Sequence, residues 1–330
     1  MHMGLLLRSR WFLHALQLGT LAATCSSHAG GLTDNNAKVG AKEYFTMNSA
    51  GIAIRSLGPV AATEITGIDL AQPLDEQTFA EIETAFNQSG VIAIRDQKIT
   101  PAQQIAFSQR FGEIEVNYNS GKYGLPEHPE IYRISNITKD QKPIGSRRAG
   151  ENWHSDMIYS ARPPRATMLH AIEVPELHGL MLGDTAFANT SAAYDALPES
   201  MKLHIDGMEG IFDFASRTRS EAPDAATVKR YPPVQHPIAR THPFTGRKCL
   251  YMNRDDCTGI AGMPREDAEA LIVALSDHVI KPEFVYRHKW REGDVVIWDN
   301  CTMQHKAILD YDLPQRRLMH RMTIAGSVPV

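Results

Sequence analysis

The chain has 330 residues, 43% of them hydrophobic, with 23 glycines and 19 prolines, which excludes a disordered or fibrous chain and allows one large domain. Its 34 Lys and Arg against 38 Asp and Glu leave a formal net charge of -4, so a general nucleic-acid or membrane-surface role has no electrostatic support. The four cysteines, Cys25, Cys249, Cys257 and Cys301, form no CxxC pair, which argues against zinc and disulfide frameworks and fits reduced thiols in a cytoplasmic protein.

In chain order, the first segment is anomalous. Arg8 and Arg10 precede an apolar run from Trp11 to Ala23, and Ser27-His28-Ala29 follows like a small-residue cleavage site. That is the outline of a secretory signal or organellar presequence, and the run is too short for a transmembrane helix. Met47 starts the segment that reads as folded, so residues 1–46 form an N-terminal extension and 47–330 a single domain. A misassigned start codon is favoured over a cleaved leader.

Short strands are expected at 52–54 and 64–68. Residues 75–89 read as a helix, with Phe79, Ile82 and Phe86 at helical spacing and Gly90 as a stop. Val91 to Ile94 is a buried strand. Thr100-Pro101-Ala102-Gln103 is a capping box with proline at the first helical position, opening a helix to about Phe111. Residues 117–152, rich in Gly, Pro, Asn and Lys, read as an irregular substrate loop, and 215–235 as a second mobile segment. Helices are expected from Ser191 and over 264–279, and strands at 294–298 and 318–324. The pattern predicts an α+β domain built on a β-sandwich or barrel.

The chemistry concentrates in His154-Ser155-Asp156, answered downstream by His305 and by Arg317 and Arg321. On a strand, residues two apart share a face, so His154 and Asp156 point the same way. With one distant histidine they make two imidazoles and a carboxylate, a set that suits non-haem Fe(II) and leaves positions open for chemistry. Strand alternation also puts Arg317 and Arg321 on one face. Two guanidinium groups facing one interior need anions, either internal carboxylates or ligands.

These residues resemble the taurine dioxygenase and 2,4-dichlorophenoxyacetate dioxygenase family of Fe(II)- and 2-oxoglutarate-dependent oxygenases. The carriers are Asn152-Trp153-His154-Ser155-Asp156, Gly183-Asp184-Thr185, the run from His242 to Arg247, Trp298-Asp299-Asn300, Gln304-His305 and the run from Leu313 to Arg321. The resemblance covers roughly residues 47–326. It implies a double-stranded β-helix, or jelly roll, with His154, Asp156 and His305 holding iron. It implies that Thr185 and Arg317 hold the distal carboxylate of 2-oxoglutarate, and that Arg321 pairs with the anionic group of a small organic substrate. O2 is the further cosubstrate, and a homo-oligomer (dimer or tetramer) is expected.

Three departures from the family pattern stand out. One extra residue separates His305 from the arginine pair, which leaves Arg316 as a rival to Arg317. Residues 180–183 read as a small insertion. Asn117 stands where taurine dioxygenase has a sulfonate-contacting histidine; it and Met157, next to the carboxylate ligand, are assigned to the substrate side. The other classes open to this residue set are a metallohydrolase, which would leave Arg317 unexplained, and a silent acid-binding jelly roll. His204-Ile205-Asp206 repeats the HxD spacing but falls in a helical segment, where positions two apart do not share a face. Asp299 reads as a structural acceptor, His236 and His242 as turn residues, and His320 as packing on the face opposite the arginines.

Overall fold

The computed structural model describes residues 45–47, 51–147, 149–216 and 223–330. The signal-like run and most of the extension therefore lie outside the described residues. Phe45–Met47 is a strand, paired antiparallel with Ala53–Ser56. Among the described residues no helix is long and apolar enough to cross a membrane.

A nine-stranded sheet organises the molecule. From one edge its order is Phe45–Met47, Ala53–Ser56, Thr63–Thr66, Val91–Ile94, Val295–Asp299, Ala166–Glu173, Leu318–Ile324, His128–Ser135 and Gly124–Leu125. Pairing is antiparallel except between Thr63–Thr66 and Val91–Ile94. One face is covered by two helices. Asp75 starts the first, Glu76–Ser89, by accepting from Thr78 N at 2.7 Å, and Gly90 ends it in the left-handed region at φ 72°. Thr100 and Gln103 form the expected capping box on the second, Pro101–Gln109. Phe79, Phe86, Phe107 and Phe111 from this side meet Ile92, Met168, Ile297 and Met322 of the sheet in one buried cluster.

The other face meets a three-stranded sheet ordered Val285–His288, Thr185–Asn189, Met303–Ala307. Phe187, Trp290 and Met303 pack there against Leu169, Val296, Trp298 and Met319. A further cluster, with Phe212, Phe214, Tyr251, Leu271 and Leu275, joins the Arg265–Val279 helix to short strands beside the sandwich. The architecture is α+β, with sheets facing each other, two helices on one outer face and the Arg265–Val279 helix in the cluster beside them.

Several expectations are corrected. The irregular stretch 117–152 contains the eight-residue strand His128–Ser135, which pairs with Leu318–Ile324. Within 215–235, Ala225–Arg230 is a helix capped by Asp224, and Val234–Pro237 is a strand. His236 is therefore a strand residue rather than a turn residue, with Nε2 3.0 Å from the Ser160 carbonyl. Of the residues read as an insertion at 180–183, Leu180 and Met181 pair with Glu176–Leu177 in a hairpin whose strand residues are exposed, which leaves that reading standing.

Candidate metal centre and its anion pocket

The two sheets bring His154 and His305 face to face. The backbone of His154 donates to the His305 carbonyl at 3.1 Å, and the His305 amide donates back to the His154 carbonyl at 2.8 Å. This reciprocal bridge sets the imidazole centroids 4.1 Å apart. The chain then turns at once: Met157 has φ 47°, so Asp156 sits at the start of a turn rather than within a strand. The carboxylate still reaches the histidines. His154 Nε2 lies 3.6 Å from Asp156 Oδ1, and His305 Nε2 lies 3.7 Å from Oδ2.

A potential ligand atom of each residue lies within 4.8 Å of those of the other two. The donor set fits a first-row divalent metal. Ligand atoms at right angles around an ion about 2.1 Å away are about 3.0 Å apart, so each histidine–carboxylate pair, at 3.6 and 3.7 Å, would draw in by less than about 1 Å to share one ion. His154 Nδ1 is 2.8 Å from the Asn152 carbonyl; it donates there, which leaves the Nε2 lone pair for a metal. His305 Nδ1 is buried with no hydrogen-bond partner among the described residues. Gly150 closes one side at φ 77°, where an added Cβ would stand 3.1 Å from His154 Cε1.

Electrostatics prepare the same set. Burial pushes the Asp156 carboxyl up, but Arg321, then His305 and His154, outweigh it and hold the group well below the usual carboxylate range. His305 is pushed well below the ordinary imidazole range by burial first, with His154 and Arg321 adding to it against Asp156. At neutral pH the cluster therefore offers a carboxylate and an imidazole with a free lone pair, the forms that bind metals.

Arg317 and Arg321 line the same cavity, together with Thr185, Leu169, Trp298 and the three cluster residues. Arg317 is 4% exposed, its guanidinium lies 5.7 Å from the Tyr311 ring centroid, and its Nε is buried with no hydrogen-bond partner. Its neighbour Arg316 is spent at the surface on Glu173, with nitrogen–oxygen distances of 2.7 and 3.2 Å. Geometry thus separates the two rivals: Arg317 faces the cavity and Arg316 does not. Gly183 has φ 76°, and a Cβ there would meet Tyr311 at 3.0 Å and Arg317 Nε at 3.2 Å. Thr185 opens its strand on the opposite wall, and its hydroxyl oxygen accepts from Trp290 Nε1 at 3.0 Å. The hydroxyl proton remains free to donate.

Arg321 Nη2 lies 3.0 Å from Asp156 Oδ1, close enough for charge attraction but not aligned as a hydrogen bond. Asn117 and Met157 are not brought to this cavity wall. Asn117 lines a separate cleft of about 700 Å³ with Tyr118, Arg162 and Arg230, and its side chain accepts from the Asn119 amide at 2.9 Å. Met157 is buried in the cluster around Phe214 and Tyr251.

The second HxD triplet ends the Glu199–Ile205 helix, as expected, with His204 exposed. Asp299 is an acceptor, taking bonds from His242 Nε2 at 2.6 Å and the Cys301 amide at 2.7 Å. His242 is a turn residue as read, its Nδ1 accepting from Thr245 N at 2.9 Å. His320 packs on the far face, opposite His170. Sequence reasoning gave no site role to Thr167 and Trp290, and left Trp298 and Asn300 as parts of a motif without individual functions. Thr167 Oγ1 lies 2.6 Å from Asp156 Oδ2. Only the Trp298-Asp299-Asn300 run carried a local signal; the other contacts depend on strand neighbours far apart in the chain.

Comparison with known proteins follows the same lines. Residues 53–323 match the family described as taurine catabolism dioxygenase TauD, TfdA family. The chain is 32% identical over 287 residues to the alpha-ketoglutarate-dependent 2,4-dichlorophenoxyacetate dioxygenase of Cupriavidus pinatubonensis, covering 82% of this chain and 97% of that one. It is 31% identical over 288 residues to the alpha-ketoglutarate-dependent sulfate ester dioxygenase of Pseudomonas putida, covering 82% and 90%. Among solved structures, a taurine dioxygenase from Burkholderia xenovorans superposes with a TM-score of 0.71 at 31% identity, covering 84% of this chain and 92% of that one.

Proposed function

The chain belongs to the taurine catabolism dioxygenase TauD, TfdA family, and from that premise we propose that it is an Fe(II)- and 2-oxoglutarate-dependent dioxygenase acting on a small anionic organic substrate. The observation that carries the reading is a buried arginine, Arg317, with an unpartnered Nε in the same cavity as the His154, Asp156 and His305 cluster. Tyr311 shares a hydrogen bond with the guanidinium and Asp310 adds a nearby charge, but a buried guanidinium with no carboxylate in contact is costly unless an anion joins it. A metallohydrolase would need no such anion. The two facing sheets are read as a double-stranded β-helix, the jelly roll of the family.

When bound, the ferrous ion and its cosubstrates supply the oxidising chemistry: O2 is consumed, 2-oxoglutarate becomes succinate and CO2, and a substrate C–H becomes C–OH. His154 and His305 would hold the ion through neutral imidazoles, and Asp156 would offset part of its charge. Arg317 offers a planar fork to the distal carboxylate of 2-oxoglutarate, and Thr185 offers its hydroxyl proton to the same group. Trp290 holds the Thr185 oxygen from behind. Arg321 faces the substrate's anionic group, and its contact with Asp156 ties that group to the metal-binding side of the cavity.

The relatives are named for a phenoxyacetate, a sulfate ester and taurine, which all carry an anion on a short carbon frame. The substrate class proposed here is therefore sulfonates, alkyl sulfates and aryloxyalkanoates. If hydroxylation falls on carbon bearing the sulfonate, sulfate or ether oxygen, the product collapses to a carbonyl compound and releases the anion or alcohol.

The test is a panel of these three classes, scored by substrate-stimulated succinate release under air with Fe(II) and ascorbate. At least one class should raise succinate, and Asp156→Ala should abolish the response. Substrate cleavage that proceeds without 2-oxoglutarate would favour a hydrolase instead. Binding of 2-oxoglutarate with no O2 uptake on any substrate would favour a silent acid-binding jelly roll.

A further inference from the structure

Asp156 is held by a chain of hydrogen bonds whose direction is fixed by donor and acceptor chemistry. The Trp298 indole can only donate, and its Nε1 lies 3.1 Å from Asn300 Oδ1. The Asp156 amide donates to the same oxygen at 3.4 Å. The Asn300 carboxamide therefore presents its NH2 to Thr167, with Nδ2 3.0 Å from Oγ1. An NH2 group cannot accept, so the Thr167 oxygen takes that bond. The Thr167 proton is left for Asp156 Oδ2, 2.6 Å away, and a carboxylate can only accept it.

The chain is built into the sheet. Trp298 stands directly across from Thr167 in the ladder between Val295–Asp299 and Ala166–Glu173. Asn300 and Thr167 are fully buried and Trp298 nearly so. Burial strengthens these bonds and fixes each proton by the donor and acceptor chemistry of its neighbours. The Trp298 ring also lies 4.7 Å from the His305 ring, centroid to centroid. One indole thus packs against one candidate ligand while orienting another through two intermediates.

We propose that Thr167 is a positioning residue for the metal-binding carboxylate, and that Trp298, Asn300 and Thr167 act together to fix the rotation of the Asp156 carboxyl group. Without the Thr167 hydroxyl the carboxyl can turn about its Cβ–Cγ bond, and the arrangement that receives a metal is one orientation among several. This rests on the reading that His154, Asp156 and His305 form the metal site. Groups that orient a ligand in this way typically contribute about tenfold to a hundredfold in metal affinity.

The test is a Mn(II) titration of the full chain, followed by the loss of free-ion EPR signal, with no turnover required. Thr167→Val keeps the side-chain shape and removes the hydroxyl; Thr167→Ser keeps the hydroxyl and removes the methyl. Thr167→Val should weaken Mn(II) binding about tenfold to a hundredfold, with the metal-free melting temperature little changed. Thr167→Ser should bind close to the wild-type value. Wild-type affinity in Thr167→Val, or an equal loss in both variants, overturns the inference, because the hydroxyl would then not be the operative group. His305→Ala serves as the control. If wild type binds no Mn(II) that His305→Ala removes, the three-residue metal site itself fails and the inference falls with it.

Discussion

Arg317 stands just before the strand Leu318–Ile324 and Arg321 four residues on, at its middle, and they are satisfied in different ways. Arg317 lies against the Tyr311 ring with a buried, unpartnered Nε. Arg321 has a carboxylate, Asp156, 3.0 Å from Nη2, although its Nε and Nη2 are also buried without hydrogen-bond partners among the described residues. An internal counter-ion makes an arginine part of the scaffold as well as part of the recognition surface. Arg317 has a hydrogen bond to Tyr311 and the charge of Asp310 nearby, but no carboxylate in contact, which leaves room for an anion from outside. On the proposed function, the Arg317 end of the cavity would take the distal carboxylate of 2-oxoglutarate, and Arg321 would serve both Asp156 and the substrate.

The largest effect that could break this comparison is Arg317→Ala. Removing one member of a buried charge pair costs about 2–5 kcal/mol, so the KM for 2-oxoglutarate should rise about a hundredfold. Arg316→Ala should change it less than about twofold, because its pair with Glu173 is exposed. Equal losses in both variants would undo the distinction. Arg321→Ala should raise substrate KM about tenfold while leaving substrate-free turnover of 2-oxoglutarate within a few-fold, the effect of a charged hydrogen bond lost at the substrate. A matching loss of both activities would mean that its contact with Asp156 dominates. Trp290→Phe removes one hydrogen bond to Thr185 and should raise the KM for 2-oxoglutarate a few-fold without altering substrate KM.

A separate effect concerns stability on the opposite face of the same strand. His320 is pushed down to about 4 by burial, with His170 and then Arg133 adding to the shift. The unfolded chain takes up this proton near pH 6.5, while the folded chain resists it until about pH 4. Above pH 6.5 both states are neutral and the group costs nothing. As pH falls through that window the unfolded state binds the proton first, and stability drops. His320→Gln should lessen the fall in urea stability between pH 7 and pH 4.5; an unchanged slope would remove His320 as its source.

The metal-side residues were legible as a motif, an HxD triplet, a distant histidine and two arginines four apart, although Asp156 lies in a turn and Arg317 just before its strand, so strand alternation is not what brings them together. Helix ends were legible at Asp75, Gly90 and Thr100, where caps are local. Central strands were harder. Thr185–Asn189 is buried at every residue and Ala166–Glu173 through its first six, so neither shows the alternation that marks a strand with one wet face. His128–Ser135 was hidden among prolines and glycines and is held by its ladder to Leu318–Ile324. Asn117 and Met157 were placed by sequence analogy, and neither lines the metal cavity. The Thr167 contact joins residues that only sheet register brings together.

The central claim is that one cavity assembles a metal from His154, Asp156 and His305 beside a keto acid anchored by Arg317. The most direct measurement is an anaerobic titration of Fe(II) and 2-oxoglutarate, followed by the visible charge-transfer band of an iron-chelated keto acid. The band should appear with wild type, vanish in Asp156→Ala, and require far more 2-oxoglutarate in Arg317→Ala. A band that survives unchanged in Asp156→Ala, or none at all in wild type, would contradict the account.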